Sequence, residues 1–235
     1  DTSVEYAVDN DFYYVPGKPF QVPVWPTDYT PLGGDASPML DGTFAENPAK
    51  WTGNGARAPQ PKFDDWYETA KNNYGVRPGG TFAFPRLPAD YASKDWPAHY
   101  AFWQGKTVPS SWKKFRDITQ FWLAQGVDGF RYDMAEMVPV EFWSYLNSQI
   151  KHTDPDALLL AEVYNPKLYR DYVHLGKMDY LYDKVDFYDQ MKRIMQGKSD
   201  TTPLVAIQAD YADIEHHLLH FLENHDEQRI ASPEF

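Results

Sequence analysis

Apolar positions recur every three to four residues along 110-SSWKKFRDITQFWLAQG-126, at Trp112, Phe115, Ile118 and Trp122, between a serine start and a glycine stop. That period and punctuation predict an amphipathic helix. The short run 127-VDGFRYDM-134 predicts a strand, and 139-PVEFWSYLNSQIK-151 a second helix, opened by Pro139 and carrying Phe142, Leu146 and Ile150 on one stripe. An unbroken apolar run, 157-ALLLAEV-163, reads as a buried strand. Beyond it the pattern predicts a short helix near 166–175, a short strand near 178–182, helices over about 186–196 and 203–213, and a last apolar run at 218–224. Helix alternates with strand, which implies a parallel sheet with crossover helices.

Residues 1–105 have a different texture. Prolines and glycines crowd short irregular pieces such as 15-VPGKPFQVPVWPTDYTPLGG-34 and 77-RPGGTFAFPRLP-88, which break helices and central strands alike. Trp25, Trp51, Trp66, Tyr67 and Trp96 are the wrong composition for a disordered linker. Two regions follow: a loop-rich, aromatic insertion subdomain over 1–105 and the regular helix–strand part over 106–235.

Composition narrows the functional classes. Lys and Arg total 22 against 34 Asp and Glu, and the net charge of −12 repels a phosphate backbone, so nucleic acid is not an expected partner. No stretch approaches the ~20 apolar residues of a membrane helix, which excludes a spanning helix, and the chain reads as soluble. The N-terminus DTSVEYAVDN lacks the basic and apolar regions of a signal peptide, so any targeting segment is already missing. With no cysteine the redox compartment cannot be read; a secreted or periplasmic location is favoured over a cytoplasmic one. Aromatics reach 17% of the chain, and rings with a polar handle suit a sugar-binding cleft as well as a core.

Candidate chemistry lies where the apolar runs end. Residues two apart in a strand share a face, so Arg131 and Asp133 point one way and Phe130 and Tyr132 the other; the same counting puts Glu162 on the face of Leu158 and Leu160. Three runs end in the acids Asp133, Glu162 and Asp226, at the strand ends where parallel α/β folds place their chemistry. Beside the guanidinium of Arg131, a half-buried Asp133 is favoured in its charged form. Glu162 has no cation in its immediate sequence, and an apolar setting would leave it protonated. An ionised carboxylate facing a protonated one is the pair that retaining glycoside hydrolysis uses.

At these residues the chain resembles the alpha-amylase superfamily of glycoside hydrolases. The strand-end pattern G-F-R-x-D is matched by 129-GFRYD-133, the glutamate followed by valine and an aromatic by 162-EVY-164, and F-x-x-N-H-D by 221-FLENHD-226, in the family's order. The resemblance implies a partial TIM, or (β/α)8, barrel acting on α-glucosidic linkages of starch- or glycogen-type chains, with an α-glucan or maltooligosaccharide as substrate. It makes Asp133 the nucleophile after the fourth barrel strand, Glu162 the general acid/base after the fifth, and Asp226 the transition-state stabiliser after the seventh. Arg131 would position the nucleophile and His225 bond a sugar hydroxyl; Tyr132 and Tyr164 stand with them as substrate-binding candidates. No cofactor is implied for the chemistry; the resemblance leaves a structural calcium ion open, with no ligand assigned to it. Met137 stands where the family often has a histidine, and the early Asp-x-x-x-x-Asn-His pattern is absent. A whole barrel takes ~250 residues, against about 130 regular ones here, enough for strands four to seven. The expected partner is therefore the remainder of the barrel, from a longer chain or a second one.

Two rival readings remain. His216, His220, His225 and Asp226 crowd 213-DIEHHLLHFLENHDE-227, and a helix would put His216 and His220 on one face as zinc ligands. A non-catalytic glucan-binding protein would instead use Trp25, Trp51 and Trp66 as platforms.

Overall fold

The structure, a computed structural model, describes residues 1–24, 26 and 45–233. Trp25 and residues 27–34 of the proline-rich stretch 15–34 lie outside the described residues. Two structural units emerge, one of residues 1–85 and 107–114, the other of 86–106 and 115–235. Among the described residues, no helix is long and apolar enough to cross a membrane.

The first unit contains little regular structure, in keeping with its proline-rich sequence. Strands β1 (Tyr14–Val15) and β2 (Ala49–Lys50) pair antiparallel. Around them the aromatics form a small core: Tyr13 stacks on Trp51 with ring centroids 4.6 Å apart, and the Arg57 guanidinium lies 4.2 Å from the same indole. Buried Asn73 ties the surrounding loops, donating to Ala7 O and Asn10 O and accepting from Gly75 N–H. Trp51 is thus buried core, because both of its neighbours need its surface, and it is not the open platform expected of it. Trp66 remains exposed.

In the second unit, helix α1 (Trp96–Trp103) comes first. The composition of 1–105 conceals it, yet its end signals are ordinary: Asp95 accepts from Ala98 N–H as N-cap, and Pro97 sits in the first turn. Because α1 packs in this unit, the structural division falls earlier than the texture change near residue 105. Helix α2 (Ser110–Ala124) follows, its first five residues belonging to the first unit. Trp112 is fully buried, but Ile118 and Trp122, expected on the same stripe, are about half exposed.

The sheet then runs β3 (Gly129–Tyr132), β4 (Leu158–Ala161), β5 (Tyr180–Tyr182) and β6 (Leu218–Leu219), all parallel and in sequence order. Helix α3 (Val140–Thr153) connects β3 to β4, and a 3₁₀ turn with α4 (Tyr169–His174) connects β4 to β5. A π turn at Lys184–Tyr188, then α5 (Asp189–Met195) and α6 (Thr202–Asp210), lead to β6. Sequential parallel strands with crossover helices are the repeating unit of a (β/α)8 barrel. Gly129 is required by pairing: a Cβ there would sit 2.1 Å from Leu158 O across the β3–β4 ladder.

The two sheet faces differ. Tyr132, Leu159, Ala161, Leu181 and Leu218 are buried, as are Phe142, Trp143, Leu146 and Ile150 of α3. On the other face Leu158 is 48% exposed, and Tyr180 and Leu219 are 38% exposed each.

Candidate active site

The register of β3 on β4 pairs Arg131 with Leu160 and Tyr132 with Ala161, so the residues that follow, Asp133 and Glu162, emerge side by side at the C-terminal ends of the strands. Arg131 joins them. Its Nη1 lies 2.6 Å from Asp133 Oδ1 and its Nη2 3.1 Å from Glu162 Oε1. Two oxygens on the terminal nitrogens of one planar guanidinium are held within a few ångströms of each other. Burial alone would lower the Arg131 pKa, but the hydrogen bonds to Asp133 and Tyr182 and the charges of the two acids raise it. Its guanidinium also lies 5.6 Å from the Tyr182 ring, a contact between strands that local sequence does not signal.

The two carboxyl groups have opposite environments. Asp133 is 71% exposed, not half-buried, because the chain turns immediately after it, with Met134 in the left-handed region at φ 44°. Glu162 is 3% exposed, but its setting is not apolar as the sequence suggested. Besides Arg131, Met134 N–H donates to Oε2 at 2.9 Å and the Tyr164 hydroxyl donates to Oε1. The cation missing from its immediate sequence comes from the neighbouring strand.

Tyr164 lies within this cluster. Burial, its hydrogen bond to Glu162, and the charges of Glu162 and Asp226 all raise its pKa, which keeps the hydroxyl protonated as a donor. Asp226 follows β6 by several irregular residues, so His225 and Asp226 reach this end on a loop and not on a strand; their side chains pair at 3.2 Å. Glu136 was not singled out by the sequence. Its Oε2 accepts from Tyr164 N–H and Asn165 N–H, fastening the segment after Glu162.

Tyr132 does not belong to the site. Its ring packs on Trp143 at 4.5 Å and its hydroxyl donates to Asn147 Oδ1 at 2.8 Å within the buried layer under α3. Strand alternation accounts for this: Tyr132 lies on the face opposite Arg131.

The histidine-rich segment is not a helix that presents a metal face. Glu215–His217 is a single 3₁₀ turn running into β6, so His216 and His220 are not stacked on successive helical turns. His220 stacks on Phe187 at 3.8 Å and faces Asp183, while His216 lies against His217. Among the described residues no three His, Cys, Asp or Glu side chains come together where they could hold a metal ion.

Comparison with known proteins matches residues 102–233 to the family model "Alpha amylase, catalytic domain". An alpha-1,4-glucan:maltose-1-phosphate maltosyltransferase of Cereibacter sphaeroides is 31% identical over 51% of this chain and 18% of its own length. Neopullulanase 2 of Thermoactinomyces vulgaris is 27% identical over 46% of this chain and 17% of its own. The chain thus spans less than a fifth of these curated relatives. A solved Anoxybacillus alpha-amylase superposes with a TM-score of 0.46 at 25% identity, covering 52% of this chain and 30% of that one.

Proposed function

The chain belongs to the alpha-amylase family of catalytic domains, and from that membership we propose that it acts on α-glucosidic linkages of starch- or glycogen-type glucans by a retaining mechanism. The observation that carries the reading is the single guanidinium shared by Asp133 and Glu162. One positive charge faces two carboxyl groups and holds them side by side.

With substrate bound, the exposed Asp133 carboxylate attacks the anomeric carbon as the bond to the glycosidic oxygen breaks, and Glu162 passes its proton to that oxygen. A covalent glycosyl ester on Asp133 results. Glu162, now a carboxylate, takes a proton from an incoming hydroxyl whose oxygen attacks the same carbon and releases Asp133. Tyr164 and Met134 N–H hold Glu162 in one orientation through both steps, so the acid and the base are the same oxygens in the same place. In this reading Asp226, on the loop after β6, offsets positive charge developing on the sugar, and the exposed His225 paired with it bonds a sugar hydroxyl. Water as the incoming hydroxyl makes the reaction a hydrolysis; a sugar makes it a transfer. We favour hydrolysis, and the named maltosyltransferase relatives motivate transfer as the second reading. The uncovered apolar face at Leu158, Tyr180 and Leu219 is where the remaining strands of a barrel would pack.

The test is mass spectrometry of the protein after incubation with an activated 2-fluoro α-glucoside. A mass gain mapping to Asp133, absent in Asp133→Asn, is expected. Labelling elsewhere, or none while linear glucans are consumed, would overturn the mechanism. Adding maltose as acceptor during turnover separates longer products from reducing sugar alone, and so transfer from hydrolysis.

A further inference from the structure

Among the described residues, no buried side chain pairs with the Asp226 carboxylate. That carboxylate is 50% exposed and pairs with His225, which is 66% exposed and next to it in the chain. Asn224 shapes the turn locally, its Oδ1 accepting from both Asp226 N–H at 2.9 Å and Glu227 N–H at 3.0 Å. Such a turn sets its own geometry without fixing where it sits against the strands.

The link to the strands runs through the next residue. The Glu227 side chain is 15% exposed and turns inward, where Oε1 lies 2.9 Å from Lys184 Nζ and Oε2 3.6 Å from Lys192 Nζ. Lys184 stands two residues past the end of β5, itself 17% exposed, and also pairs with Asp189 at 2.7 Å. Both ammonium groups lie over the buried Tyr188 ring, at 5.0 and 5.8 Å from its centroid. That ring stacks at 4.9 Å on Phe221, which lies on the segment leading to Asp226. The turn is therefore fastened to the end of β5 from both sides, by ring stacking before Asp226 and by ion pairing after it.

We propose that Lys184 and Glu227 are positioning residues, whose ion pair, braced by Lys192 and the Tyr188 ring, holds the turn that presents Asp226 to the reacting sugar. The role rests on the reading of Asp226 as the charge-stabilising carboxylate. Burial alone would raise the Glu227 pKa, but Lys184, with Tyr188 and Lys192 behind it, brings it below its usual value. Removing either partner leaves the other to its remaining counter-charge, Lys184 to Asp189 or Glu227 to Lys192, and so breaks the direct ion pair between the end of β5 and the turn, which is then free to move. Protonating Glu227 releases the same clamp, and this happens only in acid below the usual glutamate range.

The test compares the protein with Glu227→Gln, Lys184→Met and Lys184→Arg, using backbone hydrogen exchange at neutral pH and steady-state turnover of a maltooligosaccharide. For Glu227→Gln and Lys184→Met, exchange at 224–228 is expected to accelerate roughly tenfold or more, while the amides of Leu159 and Leu181 hold. Their kcat is expected to fall roughly 10- to 100-fold with KM within about twofold, and Lys184→Arg to stay near the unmodified protein in both measurements. Unchanged exchange at 224–228 overturns the clamp. Faster exchange with unchanged kcat overturns its positioning role. An unmodified protein that leaves the oligosaccharide intact sinks the glycosidase reading alone, and the exchange result then decides whether the clamp exists.

Discussion

Arg131 is the residue on which the site converges, because among the described residues it is the one group bonded to both Asp133 and Glu162. Lysine keeps the charge but presents a point in place of a planar fork, so it cannot hold both acids at once. Arg131→Lys is therefore expected to fold normally, judged by an unchanged thermal midpoint, and to lose roughly 100-fold in kcat through misplacement of the acids. A variant within about threefold of the parent enzyme would show that the shared guanidinium does not organise the chemistry. Glu162 carries the other residue-level expectation. Glu162→Gln retains bonds from Tyr164 and Met134 but has no proton to give, so turnover of unactivated maltooligosaccharides should fall roughly 100-fold or more, while glucan binding, followed by calorimetry, persists. Loss of binding together with turnover would instead point to a structural role for Glu162. Sequence periodicity exposed the acids but misjudged the surroundings of Glu162, since its nearest cation is 31 residues away in the chain.

At the scale of elements, the buried layer between β3 and α3 shows how a motif residue can serve the fold instead of the site. The Tyr132 hydroxyl is matched to Asn147 Oδ1, and Asn147 Nδ2 in turn donates to Gly176 O, tying the strand, the helix and the turn before β5. Removing the hydroxyl leaves the Asn147 oxygen buried without that donor, at a cost of about 1–3 kcal/mol. Tyr132→Phe should accordingly lower stability in urea unfolding by that amount and leave KM for a glucan unchanged. A raised KM with unaltered stability would return Tyr132 to the binding site. The regular elements from α2 onward were legible from period and punctuation, with ends within a few residues. Helix α1 was not, because Pro97 and the aromatic composition around it resemble the loops on either side, and what secures it is packing against α3.

At the scale of the second unit, α1 is fastened to α3 by His99, whose Nδ1 lies 2.8 Å from Ser144 Oγ and whose Nε2 lies 2.9 Å from Tyr91 O. Trp103 Nε1 donates to the same Ser144 hydroxyl. Burial pushes the His99 imidazole down to about 4, against the pull of Tyr91 O in the other direction. The folded state thus holds His99 neutral, while the unfolded chain takes up a proton near pH 6.5. Its contribution is complete above about pH 6.5 and is lost as pH falls from there towards 4. Urea midpoints measured across that window should decline on acidification, and His99→Gln should flatten the decline. A slope that persists in the variant would assign it to other groups.

What the sequence determined by itself is local: which segments are helix or strand, since hydrophobic period is written residue by residue, and which acids stand at strand ends, since a charge closing an apolar run needs no partner to be seen. The motif residues Asp133 and Glu162 are legible for the same reason, whereas Asp226 lies on a loop beyond β6 and was marked by its motif alone. Tertiary structure alone decided what those acids face. Strand register brings Arg131 to Glu162, face alternation sends Tyr132 into the helix layer, and ion pairing across the turn after β5 sets where Glu227 and its neighbour Asp226 lie. Each of these depends on backbone segments far apart in the chain arriving at a common place, and no short-range pattern encodes that arrival.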